Sequence, residues 1–235
     1  MPATPGPLGI LMLDTAFPRV PGDAGCAASF AFPTRHAVVR DATPEAIVPA
    51  ADAARWLAPF TAAGQALVDD GCIAIATTCG FLARWQAPLA AALPVPVLTS
   101  ALLQVPLLAR TLSPGRSLGI VTYSARDLDD AALAGAGVAP ATPVEGVAPD
   151  GRFAATIRHG AASLDAAAMA ADVVAAATRL VARRPDIGAL VLECANMGPY
   201  RGAVARACRL PVFDACALFA WFYRGVAGTD TADLW

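Results

Sequence analysis

The 235-residue chain predicts an α/β protein of two pseudo-symmetric lobes, each built on a parallel sheet covered by helices. Two observations support this prediction. Short apolar segments alternate with longer amphipathic ones along the chain, which is typical of buried parallel strands connected by helices. The segments of the first half also resemble those of the second half. We therefore expect the active site in a cleft between the lobes.

Apolar and amphipathic periodicity indicates where the elements lie. The predicted strands are Leu8–Leu13, Cys72–Thr77, Val95–Leu98, Ser117–Thr122, Ala189–Leu192 and Pro211–Phe213. The predicted helices are Ala50–Asp70, Leu82–Leu93, Ala101–Leu112 and Asp165–Arg183. A strand followed by a helix, repeated along the chain, favours parallel rather than antiparallel sheets.

The two halves of the sequence can be laid on each other. "LGILMLDT" resembles "LGIVTYSA", "IATTCGF" resembles "VLECANM", and "VPVLTSALL" resembles "LPVFDACAL". From Cys79 to Pro96 is 17 positions, and from Cys194 to Pro211 is also 17. A shared spacing that begins at a cysteine in both halves indicates an internal duplication.

The composition argues against several classes of catalysis. All 17 basic residues are arginine, so the chain has no lysine for a Schiff base or a Walker P-loop. Its two histidines have no partner at metal-ligand spacing, and neither GxGxxG after a strand nor GxSxG occurs. We therefore expect neither a cofactor nor a metal. The six cysteines contain no CxxC pair and are expected to be free thiols.

Charge and hydropathy predict the localisation of the protein and the kinds of partner it binds. A net charge of −2 gives no reason to expect nucleic acid or an anionic membrane as a partner. No apolar stretch reaches the roughly 20 residues that span a bilayer, and the opening "MPATPGPLGILMLD" lacks the basic segment of a signal peptide. We expect a cytoplasmic protein with lobes at 1–112 and 113–214, and a helix at 215–235 that packs back on the first lobe.

Cys79 and Cys194 are the candidate catalytic residues. Each follows a predicted strand, and functional groups in parallel sheets collect beyond the carboxyl ends of strands. Helix-start amides are expected to lower the pKa of each thiol from about 8.5 toward neutrality. A thiolate on one face of a carbon and a thiol on the other can remove a proton and replace it from the opposite side. That chemistry inverts a stereocentre without a cofactor.

Polar groups at the strand ends are suited to binding the substrate and its enolate-like intermediate. Arg19 is placed to bind a carboxylate, although a surface salt bridge is the commoner fate of one arginine. Asp14 either orients a substrate group or caps the next segment, and Asp23 more readily holds a turn with Gly22. Serine and threonine at such turns alternatively cap helices. The candidate substrate-binding residues are Asp14, Arg19, Thr78, Gly80, Phe81, Thr99, Ser100, Tyr123, Ser124, Asn196 and Met197.

The strand-end cysteines in "TTCGF" and "ECANM" resemble those of the aspartate/glutamate/hydantoin racemase superfamily. The resemblance covers essentially the whole chain. The stretch "LDTAFPRVPGDAGCAASF" is more similar to the branch that holds uncharacterised bacterial members and the algal dimethylsulfoniopropionate lyase. Ala195 departs from the pattern, since many relatives have threonine there.

This resemblance implies a flavodoxin-like, three-layer fold in each lobe, with Cys79 and Cys194 as the acid/base pair. The carboxylate-binding positions of the family correspond to Thr78–Phe81, Thr99–Ser100 and Asn196–Met197. A homodimer or a higher homo-oligomer is compatible with the family.

The leading functional prediction is a cofactor-independent enzyme that moves a proton at the carbon α to a carboxylate of a small acid. An amino-acid racemase of the aspartate/glutamate type, or a related racemase, is the simplest form. The alternative is a lyase acting by β-elimination, as on dimethylsulfoniopropionate, or a decarboxylase. Two cysteines argue against the decarboxylase, which needs one proton donor. A binding module without catalysis is the remote alternative. The expected partner is a small carboxylate-bearing substrate, with neither nucleic acid nor membrane.

Overall fold

The computed structural model describes residues 5–49 and 54–228, and these contain two four-stranded parallel sheets. The first sheet comprises β1 (Leu8–Leu13), β2 (Thr34–Val39), β3 (Ala74–Thr77) and β4 (Val97–Leu98) in the order β2-β1-β3-β4. The second comprises β5 (Ser117–Thr122), β6 (Val144–Gly146), β7 (Ile187–Leu192) and β8 (Val212–Phe213) in the order β6-β5-β7-β8. The same strand order in both sheets confirms the predicted pair of pseudo-symmetric lobes.

Helices flank both sheets. The α-helices are α1 (Pro44–Ile47), α2 (Leu57–Asp69), α3 (Gln86–Ala92), α4 (Val105–Ala109), α5 (Asp130–Gly135), α6 (Arg152–His159), α7 (Ala166–Arg183), α8 (Arg201–Cys208) and α9 (Ala215–Ala227). Short 3-10 helices follow several strands, among them Gly80–Trp85, Ala101–Gln104 and Ala195–Tyr200. Aspartate side chains cap α5, α7 and α9 by accepting a backbone N–H of the first turn, which explains where these helices begin.

The duplication extends to individual hydrogen bonds. The Ile75 N–H donates to the Pro96 carbonyl at 2.9 Å, and the Leu190 N–H donates to the Pro211 carbonyl at 2.9 Å. These bonds join β3 to β4 and β7 to β8 at equivalent positions. The shared 17-residue spacing therefore places the next strand in the same register beside each cysteine-bearing strand.

The observed elements differ from the predicted ones mainly at the edges. β2 and β6 were not among the predicted strands, because both are edge strands with half-exposed side chains rather than apolar runs. The predicted helices at 82–93 and 101–112 each begin as a 3-10 helix. Of the predicted helix at 50–70, residues 50–53 lie outside the described residues, and α2 covers Leu57–Asp69.

The last helix packs against the first sheet. Phe219 and Tyr223 of α9 are buried in one cluster with Leu8 and Ile10 of β1. α9 ends at Ala227, and the rest of the predicted helix at 229–235 lies outside the described residues. None of the described helices is long and apolar enough to cross a bilayer.

Candidate active site

Cys79 and Cys194 lie at equivalent positions in the two lobes. Cys79 follows the end of β3 and directly precedes the 3-10 helix Gly80–Trp85. Cys194 follows the end of β7 and directly precedes the 3-10 helix Ala195–Tyr200. Each residue is 7% exposed, and both line the same small cavity between the lobes. The structure thus brings together the two thiols that the sequence selects.

The site has two compartments. The inner cavity holds about 30 Å³ and is lined by Leu13, Thr15, Arg19, Pro44, Val48, Thr78, Cys79, Phe81, Tyr123, Ile157, Glu193, Cys194 and Asn196. A single water needs about 10–15 Å³, so this cavity has room for only a few atoms. The outer cleft holds about 650 Å³ and shares Pro44, Val48 and Tyr123 with the inner cavity. The shared residues mark the passage between the two compartments.

The outer cleft is lined by three acidic and three basic side chains, so its formal charges cancel. Its charged lining residues are Glu45, Arg126, Asp127, Glu145, Arg158 and Arg179. Arg179 donates to Glu145 at 3.0 Å, and Arg126 contacts Asp127 at 3.3 Å. Arg158 instead hydrogen-bonds the Tyr123 hydroxyl at the passage to the inner cavity. A cation therefore stands at the entrance to the site.

The pKa values of both thiols are raised, whereas the sequence analysis expected them to be lowered. Burial, and secondly the nearby Glu193 carboxylate, raise the pKa of Cys79 to about 12. The same two causes raise the pKa of Cys194 well above its usual range. The backbone N–H groups of Phe81, Leu82 and Asn196 hydrogen-bond the sulfur atoms and oppose the shift, but burial outweighs them. The expectation of near-neutral thiol pKa values was therefore wrong.

Glu193 is the functional candidate that the sequence prediction missed. Its carboxylate is 1% exposed, lines the inner cavity and precedes Cys194 directly. It accepts hydrogen bonds from Thr122 Oγ1 at 2.7 Å, from the Tyr123 N–H at 3.2 Å and from the Gly80 N–H. Burial raises the pKa of Glu193 to about 7. The available signal was a glutamate that stands between an apolar strand and a cysteine.

Gly80 belongs to the site because Glu193 lies against it. A Cβ atom at this position would stand 2.6 Å from Cγ and 2.7 Å from Cδ of Glu193, which is closer than van der Waals contact permits. The missing side chain therefore lets the carboxyl group approach the turn that carries Cys79. Close approach of a neighbouring group is a common reason for glycine at such turns.

A hydrogen-bonded chain connects the lobes beside Cys194. The Cys194 thiol lies 3.5 Å from Asn196 Oδ1, and Asn196 Nδ2 donates to Asp23 Oδ2 at 2.9 Å. Asp23 is 3% exposed and pairs with Arg19 at 3.1 Å. Arg19 also donates to Thr15 Oγ1 at 2.6 Å. Asp23 holds its own turn as well, since it accepts the Gly25 N–H at 2.7 Å.

Most of the predicted binding residues surround the two compartments. Thr78, Phe81, Tyr123, Asn196 and Arg19 line the inner cavity. Ser124 lines the outer cleft, where its hydroxyl donates to Asp127 at 2.6 Å. Gly80 contacts Glu193 as described above.

The other four predicted residues lie outside the described linings of both compartments. Asp14 accepts the Asp41 N–H at 3.0 Å and so fixes the loop after β2. Thr99 donates to Gln86 at 2.8 Å, and Ser100 caps the following 3-10 helix by accepting the Leu102 N–H at 3.0 Å. Met197 is fully buried in the hydrophobic core. These positions stabilise the turns that carry the site.

The remaining cysteines lie outside the inner cavity. Cys72 is buried at the start of the segment that leads into β3, and Cys216 donates to the Gly22 carbonyl at 3.1 Å. Cys26 and Cys208 are half-buried. Among the described residues, no group of three or more His, Cys, Asp or Glu side chains is placed to hold a metal ion.

Known proteins resemble this chain in sequence and in fold. No family model matches it. It is 30% identical over 246 residues to dimethylsulfoniopropionate lyase 5 of Emiliania huxleyi (strain CCMP1516). That match covers 97% of the chain but 46% of the lyase, so the chain spans about half the length of this curated relative.

Solved structures share the two-lobed architecture. Arylmalonate decarboxylase matches with a TM-score of 0.62 at 17% identity, covering 96% of this chain and 94% of that one. Glutamate racemase from Bacillus anthracis matches with a TM-score of 0.62 at 14% identity, covering 95% of this chain and 84% of that one. Allantoin racemase from Klebsiella pneumoniae matches with a TM-score of 0.62 at 20% identity, covering 97% of this chain and 92% of that one. The chain therefore shares its fold with arylmalonate decarboxylase, glutamate racemase and allantoin racemase. The resemblance to the aspartate/glutamate/hydantoin racemase superfamily that the cysteine motifs indicated is confirmed for the fold.

Proposed function

We propose that this protein is a cofactor-independent enzyme that transfers a proton at the carbon α to a carboxylate of a small acid. Its simplest form is an amino-acid racemase of the aspartate/glutamate type, or a related racemase. The observation that carries the proposal is the placement of Cys79 and Cys194. They come from equivalent positions of the two lobes and meet at one inner cavity.

The chemistry assigns each thiol to one face of the substrate carbon. One cysteine, as a thiolate, removes the α-proton, and the electron pair of the C–H bond moves into the carboxylate as an enolate. The other cysteine, as a thiol, donates its proton to the opposite face. Arg19 and Asn196 line the same cavity and supply N–H donors that suit the charge developing on the substrate carboxylate.

The division into two compartments supports a specific placement of the substrate. The inner cavity has room only for the reacting carbon and a few attached atoms, so the rest of the substrate occupies the outer cleft. Both compartments are lined by both lobes, for example by Pro44 on one side and Tyr123 on the other. The substrate therefore reaches the thiols through the outer cleft, and the small inner cavity excludes water from the reacting atoms.

A lyase is the second candidate, and the relation to dimethylsulfoniopropionate lyase 5 favours it. In this reaction one thiolate removes the α-proton and the resulting carbanion expels a β-substituent, leaving an alkene. The second thiol then supports the carbanion or protonates the leaving group. Arylmalonate decarboxylase shares the fold, but the presence of two thiols in the cavity favours proton transfer between faces.

The experiment is proton exchange in D₂O. The purified protein is incubated with α-amino, α-hydroxy and β-substituted carboxylates, and NMR follows loss of the α-proton while chiral chromatography follows inversion. Exchange with inversion supports the racemase, and release of an alkene supports the lyase. Cys79→Ser and Cys194→Ser should each lower turnover by at least about a hundredfold.

Cys208→Ser is the matched control, since Cys208 lies in α8 outside both compartments. It should keep the turnover of the wild type. Full activity in either active-site serine variant would contradict the two-thiol mechanism. Absence of exchange with every acid would contradict proton transfer as the function.

A further inference from the structure

A buried carboxyl group stands beside both thiols, and the two-thiol mechanism leaves it without a role. Glu193 is joined directly to Cys194 in the chain, and it accepts the backbone N–H of Gly80, the residue after Cys79. Its charge acts on both thiols. Within the described part of the chain, its hydrogen-bond donors are a hydroxyl and two backbone amides, none of them cationic. Such a placement is costly for a group with a purely structural role.

A two-thiol site has a proton-balance problem that this group can solve. Each turnover must begin with one thiolate and one thiol, yet burial disfavours the ionised form of both Cys79 and Cys194. After inversion the charge has also moved to the opposite cysteine. The site therefore needs an acceptor for the first proton and a donor that resets the second thiolate. The acceptor must reach both sulfur atoms.

We propose that Glu193 carries a proton between Cys79 and Cys194, so that the carboxyl group and the two thiols share one negative charge. This inference rests on the proposed function and deepens it. It makes the site a cluster of three acid/base groups rather than a pair.

The steps balance without any external reagent. An S–H bond of the first cysteine breaks, its proton bonds to a Glu193 carboxylate oxygen, and the electron pair stays on sulfur. That thiolate takes the α-proton of the substrate, and the second cysteine gives its proton to the opposite face. The second thiolate then takes the proton held by Glu193. Both thiols and the Glu193 carboxylate are restored, and the same steps run in the reverse direction.

The surroundings of Glu193 suit a carrier that works near neutral pH. Burial raises its pKa to about 7, while hydrogen bonds from Thr122, Tyr123 and Gly80 oppose the rise. A proton carrier is most effective when its pKa lies near the working pH. The titratable and charged groups that face the cluster are Cys79, Cys194, Tyr123, Arg84, Asp23 and Arg19. Arg84 favours the thiolate of Cys79, whereas Asp23 disfavours that of Cys194.

The first test needs no substrate. The chain contains only three glutamates, Glu45, Glu145 and Glu193. Protein labelled with ¹³C at the side-chain carboxyl carbon (Cδ) of glutamate therefore gives three resonances. We expect one of them to titrate with a midpoint near pH 7 and to be missing from Glu193→Gln. A Glu193 resonance that does not titrate between pH 5 and 9 would overturn the proposal.

The second test separates proton carrying from simple electrostatics. Glu193→Gln removes a negative charge beside both thiols, so iodoacetamide should alkylate Cys79 faster in this variant at pH 8.5 than in the wild type. Turnover in the D₂O exchange assay should nevertheless fall by at least a hundredfold. A residue that acts only through its charge predicts the opposite, since more thiolate would sustain or raise turnover.

Thr122→Val is the matched control, because it removes one hydrogen bond to Glu193 and keeps the carboxyl group. Its turnover should stay within about tenfold of the wild type, with the rising limb of its pH–rate profile moved to higher pH. Turnover of Glu193→Gln at the wild-type rate, with an unchanged pH profile, would overturn the inference and leave the proposed function intact. If the wild type exchanges no substrate, the proposed function fails and the inference with it.

Discussion

Thr78 and Glu193 occupy the same position in the two lobes, each one residue before its cysteine. The Thr78 N–H donates to the Leu11 carbonyl at 3.0 Å, and the Glu193 N–H donates to the Val121 carbonyl at 2.8 Å. The backbone is thus duplicated while the side chains are not. The residue before one cysteine carries a hydroxyl and the residue before the other a carboxyl group, so the two lobes match in backbone but differ in their ionisable side chains.

Gly80→Ala tests whether Glu193 needs the space beside Gly80. The new Cβ would collide with the Glu193 side chain, so either the carboxyl group or the turn before Phe81 must move. Overpacking of this kind costs about 1–3 kcal/mol of unfolding free energy. Urea denaturation measures that loss, and turnover should fall with it because the turn carries Cys79.

Gly225→Ala is the control for this substitution. Gly225 lies inside α9, and a Cβ there meets no atom within 4 Å. This change should be neutral or stabilise the protein by up to about 1 kcal/mol. If Gly80→Ala were equally harmless, the close approach of Glu193 to Gly80 would be incorrect.

A double variant tests the same contact. Combining Gly80→Ala with Glu193→Ala should lower the free energy of unfolding by less than the sum of the two single changes, with a difference of about 0.5–3 kcal/mol.

The free energy of unfolding should depend on pH through Glu193. The folded state raises the pKa of this carboxyl group from 4.5 to about 7, so between these values the folded protein binds its proton more tightly than the unfolded chain. The stability from this group is complete below about pH 4.5, is lost as the pH rises toward 7, and is constant above it. At about 1.4 kcal/mol per pKa unit, the loss is about 3 kcal/mol.

Glu193→Gln isolates this contribution, because glutamine cannot ionise. Urea denaturation of both proteins from pH 4.5 to 8 should show the variant gaining stability relative to the wild type as the pH rises, by about 3 kcal/mol over the range. A constant difference between the two proteins would mean that the carboxyl group ionises at the same pH in both states.

The sequence predicted the interior of both sheets but not their edges. β1 and β5 are buried on both faces and read as continuous apolar runs, so their bounds were predicted correctly. β2 and β6 pair on one side only and carry polar or half-exposed residues. Nothing in their local pattern separates such strands from loops, and only the pairing with β1 and β5 defines them.

The internal duplication predicted which two cysteines line one cavity, but it could not predict a side chain that the two halves do not share. Cys79 and Cys194 could be paired because the two halves align. Glu193 could not be found in this way, since its counterpart is Thr78. The raised pKa values of the thiols were equally inaccessible, because they depend on burial and on the charge of Glu193 rather than on the local turns.

Burial of Cys79 and Cys194 predicts that both thiols are alkylated slowly in the substrate-free protein. A thiol with a pKa near 12 has a thiolate fraction at pH 7.5 that is about a thousandfold or more below that of an ordinary thiol. Iodoacetamide labelling followed by peptide mass spectrometry should find Cys79 at least a hundredfold slower in the native protein than in the same protein unfolded in urea. Equal rates in the two states would show that the inner cavity is open.

Arg19 provides a test of how the substrate carboxylate is held. Asp23 and Thr15 fix its guanidinium at the wall of the inner cavity, and the Phe17 ring packs against it at 4.2 Å. Lysine keeps the charge but not the planar, multiply hydrogen-bonded fork, so Arg19→Lys should weaken carboxylate binding. We expect KM to rise about tenfold, with a smaller change in kcat if the contact is equal in the ground and transition states.

The matched control is Arg35→Lys. Arg35 forms an exposed ion pair with Asp70 at 3.6 Å, and neither residue lines the inner cavity. Exposed pairs of this kind contribute about 0–1 kcal/mol, so neither KM nor stability should change measurably. A rise in KM for Arg19→Lys alone assigns the substrate carboxylate to the Arg19 side of the cavity. An unchanged KM would leave Arg19 with the role of holding Asp23, and through it Asn196, beside Cys194.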